Sequence, residues 1–414
     1  MKILKVLLIA LSPLFFIFKA SAAESAAYNF SIQNPLLSTL IAAANGTSIK
    51  YKKLSLEIRP DRSHIKLLEG RHKISIGLFK QSKKAPLVFI ISGLGGNGLS
   101  GSSLLLAEDL YNRGYHVVTL PNAFSWQYVL GVSESATPGY MPRDSVEYYD
   151  FMKKVNSYLL KTEGLHVESY SLMGYSLGGL LSVFITQVDD FQQIFQFQKI
   201  VLINPAIDVN YGLKVLDTFY ADGSKLTYER KAYAFSTVVD LVLEFAHAPF
   251  SANTLKNAVP KLSVLTSLDL KWLIGNSFRQ SLRDVIFASQ QIHNTGLLKT
   301  EASEYKQNAR FEEAEKFTYE DYIEKILLKS VKNESFDGLI SQSGFYGLEN
   351  YLKENSKIHI FENEDDLIVS KDDIHFLKEN LDSRLNLYSH GGHLGNIWWP
   401  QNKQDLGQIL TTVN

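Results

Sequence analysis

The chain of 414 residues contains no cysteine. That absence removes disulfide frameworks, thiolate nucleophiles, zinc–thiolate sites and iron–sulfur clusters together. An excess of charge of one sign is also missing: 42 Lys and Arg stand against 43 Asp and Glu, for a net charge of −1. No broad cationic field exists to gather nucleic acid, and Arg-rich stretches interleaved with aromatics are absent. Neither H-x-x-x-H nor H-E-x-x-H occurs, so no metal and no cofactor is expected. Internal repeats and low-complexity tracts are missing as well. What remains is ordinary for a globular protein with a substantial core, with 45% hydrophobic and 21% charged residues.

The conspicuous long apolar run lies at the start. Val6 to Phe18 is a stretch of 13 residues, short of the roughly 20 that a membrane span needs. Lys2 and Lys5 precede it and Ala20-Ser21-Ala22 follows it. This is the anatomy of a secretory signal peptide, residues 1–22, with a mature chain from Ala23; an uncleaved anchor is the alternative. Export without cysteine points to a bacterial periplasmic or secreted protein, with no permanent membrane span after cleavage. The sequons at Asn45 and Asn333 are then chance matches.

Residues 23–50 are expected to form a loose arm with one short helix. Tyr51–Ile58 and Lys73–Phe79 alternate apolar and polar residues, the mark of half-buried antiparallel strands. Pro86–Ile91, Val117–Leu120 and Ile200–Ile203 are short continuous apolar runs, which fit central parallel strands covered on both faces. Helical stretches lie between them at Ser103–Asn112, Asp144–Lys161 and Leu177–Gln187. Strands alternating with helices predict an α/β fold with a mostly parallel sheet. The alternation stops after Asn204-Pro205. Residues 206–341 read as a helical insertion over the carboxyl edge of the strands, where ligands bind in open sheets. Strand and helix resume at Lys357–Phe361, Lys371–Asn380, Leu385–Ser389 and Lys403–Thr411, so the core divides into residues 51–205 and 342–414.

The strongest chemical signal is Gly174-Tyr175-Ser176-Leu177-Gly178-Gly179, between the apolar end of a strand and an apolar helix. A serine flanked by glycines on such a turn is a nucleophile elbow: the strained turn lifts Oγ above the sheet, and larger side chains two positions away would collide. The helix N-terminus favours negative charge developing beside it. A second glycine loop, Ser92-Gly93-Leu94-Gly95-Gly96, follows the first central strand. Acyl transfer needs two N–H donors on the tetrahedral oxyanion, and the N–H groups of Leu177 and Leu94 are the candidates. The general base should be a histidine late in the chain. His390 and His393 lie on Ser389-His-Gly-Gly-His-Leu-Gly395, and the glycines flanking His393 favour it. The acid that orients it falls in Glu362-Asn-Glu-Asp-Asp366-Leu-Ile-Val-Ser370. Asp366 is preferred because it leads into the apolar Leu-Ile-Val, and Asp365 competes.

These four motifs together resemble the α/β-hydrolase superfamily, across residues 86–204 and 356–412. Within it, G-Y-S-L-G-G and G-G-H-L-G look most like the YheT-type esterase branch. The resemblance implies an α/β-hydrolase fold and a serine hydrolase with Ser176 as nucleophile, His393 as base and Asp366 as acid. Two features depart from the family: Ser92-Gly93 stands where His-Gly often begins the oxyanion loop, and the insertion is longer than usual. The resulting expectation is an exported carboxylic ester hydrolase acting on a small-molecule or lipid-like ester. A serine peptidase, amidase or acyltransferase on the same residues, or a non-catalytic scaffold, are the alternatives. Aromatics of the insertion, Tyr319 and Tyr322 among them, are expected to fill its own core and to roof an apolar pocket.

Overall fold

Eight strands make one sheet: β1 (Lys52–Leu56), β2 (Ile74–Phe79), β3 (Ala85–Ile91), β4 (His116–Leu120), β5 (Val167–Tyr175), β6 (Ile200–Ile203), β7 (Ile358–Asn363) and β8 (Leu385–Tyr388). They lie in the order β1-β2-β4-β3-β5-β6-β7-β8. β2 pairs antiparallel with β1 and β4, and the remaining pairings are parallel. The computed structural model describes residues 28–411 apart from 43–45, 63–64, 66–67, 69, 100, 246–250, 304–305 and 333. The expected signal segment and the asparagines of both sequons lie outside the described residues.

The continuous apolar runs became the middle of the sheet. β4 and β6 are buried at every position and β3 at nearly every one, as strands covered on both faces must be. β1 keeps the alternation of an edge strand. β2 differs from its expected half-burial and is covered along almost its whole length. The reason is α3 (Trp126–Gly131), a helix too short to leave a periodic signal, which packs against β2. The Phe79 ring at the end of β2 also stacks on Tyr51, with centroids 5.0 Å apart.

One helix, α1 (Pro35–Ala42), lies in the N-terminal arm, and three others belong to the first part of the core: α2 (Ser102–Asn112), α4 (Met141–Lys161) and α5 (Leu177–Gln192). Between β6 and β7 the chain runs through α6 (Val209–Asp222), α7 (Tyr228–Phe245), α8 (Ala252–Leu262) and α9 (Ser267–Ile292), then through shorter helical pieces. α9 starts at a reciprocal capping box between Thr266 and Asp269, which satisfies N–H groups the first turn would leave open. It packs against α6 within the insertion, α3 of the core and α1 of the arm, so the insertion leans on both. Among the described residues no helix is long and apolar enough to cross a membrane. The architecture is the α/β-hydrolase fold, a mostly parallel sheet with helices packed on it and a large helical insertion.

Candidate active site

Ser176 occupies the turn between β5 and α5, with φ 55° and ψ −129°. Side chains rarely adopt such a backbone, and it persists only where the surroundings over-determine it. Here the Ser176 N–H donates to the Ile203 carbonyl at 3.0 Å, and its own carbonyl accepts from Gly179 at 2.9 Å. The flanking glycines are forced by close approach. A Cβ on Gly174 would lie 2.2 Å from the Gly178 carbonyl oxygen, and one on Gly178 would lie 2.3 Å from that of Ser92. The turn therefore tolerates no side chain two residues before or after the serine.

His393 Nε2 lies 2.9 Å from Ser176 Oγ, and its Nδ1 lies 2.8 Å from Asp366 Oδ2 and 3.1 Å from Oδ1. A carboxylate only accepts, so Nδ1 carries the proton and Nε2 is free to accept from the serine hydroxyl. The three side chains are buried. Asp366 also accepts the Ile368 N–H at 3.0 Å and Asn204 Nδ2 at 3.0 Å. Asp365 points elsewhere: its Oδ1 accepts the N–H groups of Gly391 and Gly392, each at 2.8 Å. Two adjacent acids thus divide the work, one gripping the imidazole and the other the backbone before it. Burial pushes the Asp365 carboxyl above its ordinary range, with its two backbone donors opposing.

Residues 28–42 of the N-terminal arm are packed rather than loose, a correction to their reading from sequence. Phe30 and Ile41 are buried, and α1 lies on the histidine loop. Ser38 Oγ donates to the Gly391 carbonyl at 2.6 Å, and the His393 N–H donates to Thr39 Oγ1 at 2.8 Å. His390, the other candidate base, faces away from the serine and binds the arm, with Nε2 2.6 Å from the Phe30 carbonyl oxygen and 2.9 Å from Gln33 Nε2. Ser38, Thr39 and Asn204 were not singled out from the sequence. Three glycines within five residues around His393 did carry a signal, because such density marks a backbone approached closely by another segment.

The loop of Gly93 and Leu94 packs directly on the serine; a Cβ at Gly93 would sit 3.0 Å from Ser176 Cβ. Leu94 and Leu177 line one apolar cavity of about 40 Å³ with Phe124, Tyr319, Tyr322 and Leu327. Tyr319 and Tyr322 reach it from the insertion and are almost wholly buried. Their hydroxyls donate to the carbonyls of Phe278 and Pro138, at 2.8 and 2.6 Å, so their rings, not their polar ends, face the cavity region. Among the described residues no group of three His, Asp or Glu is arranged to hold a metal ion.

No protein-family model matches the chain, and no curated protein does. Solved structures do resemble it. An esterase of Pyrococcus furiosus is 12% identical, over 88% of this chain and 91% of its own, with a TM-score of 0.40. Brefeldin A esterase, a bacterial homologue of human hormone-sensitive lipase, is 13% identical over 93% and 87%, with a TM-score of 0.39. Est1E from Butyrivibrio proteoclasticus is 11% identical over 82% and 96%, also at 0.39.

Proposed function

We propose that the protein is a serine hydrolase that cleaves a carboxylic ester through an acyl-enzyme, exported in its native host. The observation that carries this reading is the unbroken line from Ser176 Oγ to His393 Nε2 at 2.9 Å and from Nδ1 to Asp366 at 2.8 Å. His393 takes the hydroxyl proton as Ser176 Oγ attacks the carbonyl carbon. Asp366 holds the tautomer and balances the imidazolium, and the N–H groups of Leu94 and Leu177 stabilise the oxyanion. The imidazolium then gives its proton to the departing alcohol. A water molecule, deprotonated by the same imidazole, releases the acid and restores Ser176.

The apolar cavity beside Leu94 and Leu177 is the natural seat of the acyl chain. The cavity is small, about 40 Å³, and lined almost wholly by apolar side chains, so it suits a short acyl chain. Butyryl esters should therefore outrun acetyl and palmitoyl esters. The motifs' likeness to the YheT-type esterase branch agrees with an ester as substrate. Labelling by a fluorophosphonate probe, together with rates on p-nitrophenyl esters, tests the reading. Ser176→Ala should lose both with its circular dichroism unchanged, and Asp366→Asn should lose about 10⁴ in kcat, the size of effect known for a triad aspartate. Unchanged hydrolysis by Ser176→Ala removes the mechanism, and a worse lesion in Asp365→Asn moves the acid by one residue. N-terminal sequencing of protein from the host, expected to begin near Ala23, tests export.

A further inference from the structure

Behind Asp366 lies a second carboxyl group that the mechanism above does not use. Glu362, next to last in β7, is completely buried. Its Oε1 accepts Asn204 Nδ2 at 2.6 Å and the Asn363 N–H at 2.9 Å. Its Oε2 is buried with no donor among the described residues. Asn204 Nδ2 also donates to Asp366 Oδ2 at 3.0 Å, so one amide group bridges both carboxyls. Asn204 is itself pinned at the end of β6, at φ 43°, by its N–H bond to Phe361.

The other charged and titratable groups around this pair offer no compensation. Tyr388 on β8 gives its hydroxyl to Asp405 of the last helix. The Tyr28 hydroxyl accepts from Asn396, and Asp365 is spent on Gly391 and Gly392. Among the described residues no lysine or arginine forms an ion pair with Glu362 or Asp366, and His393 is the one group that can become a cation beside them. Two buried carboxylates facing a neutral imidazole cannot both stay ionised; one of them keeps a proton. The donors decide which. Asp366 receives N–H groups from His393, Ile368 and Asn204, the pattern of an anion. Glu362 receives donors on one oxygen and none on the other, the pattern of a carboxylic acid.

We propose that Glu362 is a neutral carboxylic acid, protonated on Oε2, and serves as a positioning residue that leaves Asp366 the sole anion facing His393. Burial and the neighbouring Asp366 charge both push its carboxyl well above the ordinary range, in agreement. A contact between two carboxyls, repulsive when both are ionised, becomes a hydrogen bond once one holds a proton. The role assigned to Glu362 rests on the serine-hydrolase reading, whereas its protonation does not.

The experiment uses the whole protein, unlabelled and labelled with [13C]glutamate, and follows the infrared carbonyl band of protonated carboxylic acids at neutral pH. A band that shifts with the label and disappears in Glu362→Gln is expected. Labelling glutamate alone keeps buried aspartates out of the measurement, and the wild-type spectrum decides even if the variant fails to fold. No label-sensitive band overturns the proposal. The pH dependence of kcat/KM supplies the second arm. Glutamine is neutral, as the protonated acid is, and keeps an oxygen where Oε1 accepts from Asn204 and Asn363, so E362Q should keep the acid limb where the wild type has it. E362L strands the Asn363 N–H and should cost tenfold or more in kcat. A downward move of the acid limb by about one pH unit or more in E362Q would mean that a negative charge had been removed, and the proposal falls. If Ser176→Ala still hydrolyses esters while the band behaves as expected, the serine reading fails and the protonated Glu362 stands.

Discussion

Thr39→Val puts the arm's grip on the histidine loop to a quantitative test. Valine matches threonine in shape, so packing is kept and only the hydroxyl is lost. Two bonds go with it: the one to the Pro35 carbonyl at 2.7 Å, and the acceptance of the His393 N–H at 2.8 Å. The first merely returns a carbonyl to its helix. The second leaves a donor on a residue only 4% exposed, and a stranded buried donor costs about 1–3 kcal/mol. The loop has two ways to carry that cost. If it stays in place, stability falls by the full amount. If it moves toward water, the imidazole leaves its 2.9 Å contact with Ser176, and a displacement of about 1 Å costs roughly 100-fold in rate. Gly391 is held by Asp365 and Ser38 on the N-terminal side of His393, which limits the movement. The expected result is a loss of about tenfold in kcat, KM within about twofold, and a melting temperature lower by a few degrees. Thr39→Ser keeps the acceptor and should recover most of the rate. The assay is steady-state hydrolysis of p-nitrophenyl butyrate beside a thermal melt. Wild-type kcat and melting temperature in Thr39→Val together would refute the clamp.

Two other outcomes follow from the same structure. Asp144 is buried in α4 with its carboxyl pushed up to about 7, chiefly by burial and against the pull of Arg143. The folded state therefore keeps a proton that the unfolded chain releases near pH 3.9. Its contribution is whole below that pH and is lost as pH rises to about 7, at up to about 1.4 kcal/mol per pH unit. Urea midpoints from pH 5 to 8 should fall more steeply for the wild type than for Asp144→Asn, and parallel curves would remove the assignment. Leu327→Ala trims the wall of the apolar cavity and should move the acyl optimum to chains about two carbons longer, at a stability cost of about 2–5 kcal/mol. An unchanged acyl profile in the folded variant would mean that the chain binds elsewhere.

Local chemistry made part of this protein legible in its sequence. A short continuous apolar run rich in β-branched residues fits a strand covered on both faces, which is why β3, β4 and β6 appeared where Val, Ile and Leu cluster. Ser176 stood out for a similar reason, since glycines at 174 and 178 answer to contacts within the same turn and the loop beside it. The separation between Asp365 and Asp366 was beyond any such argument. They are neighbours on one loop, and only the path of β8 into the Gly391–Gly392 backbone decides which carboxyl meets the imidazole. The arm was misread for the same cause. Nothing in residues 35–42 foretells contact with a loop more than 350 positions later, because tertiary hydrogen bonds leave no period in the chain. Glu362 is the clearest instance. In sequence it is one of four acids between Glu362 and Asp366; its charge state depends on burial, on Asn204 from another strand end, and on there being no lysine or arginine paired with it among the described residues. Those are properties of a three-dimensional neighbourhood, where desolvation and the number of available donors determine which carboxyl keeps a proton.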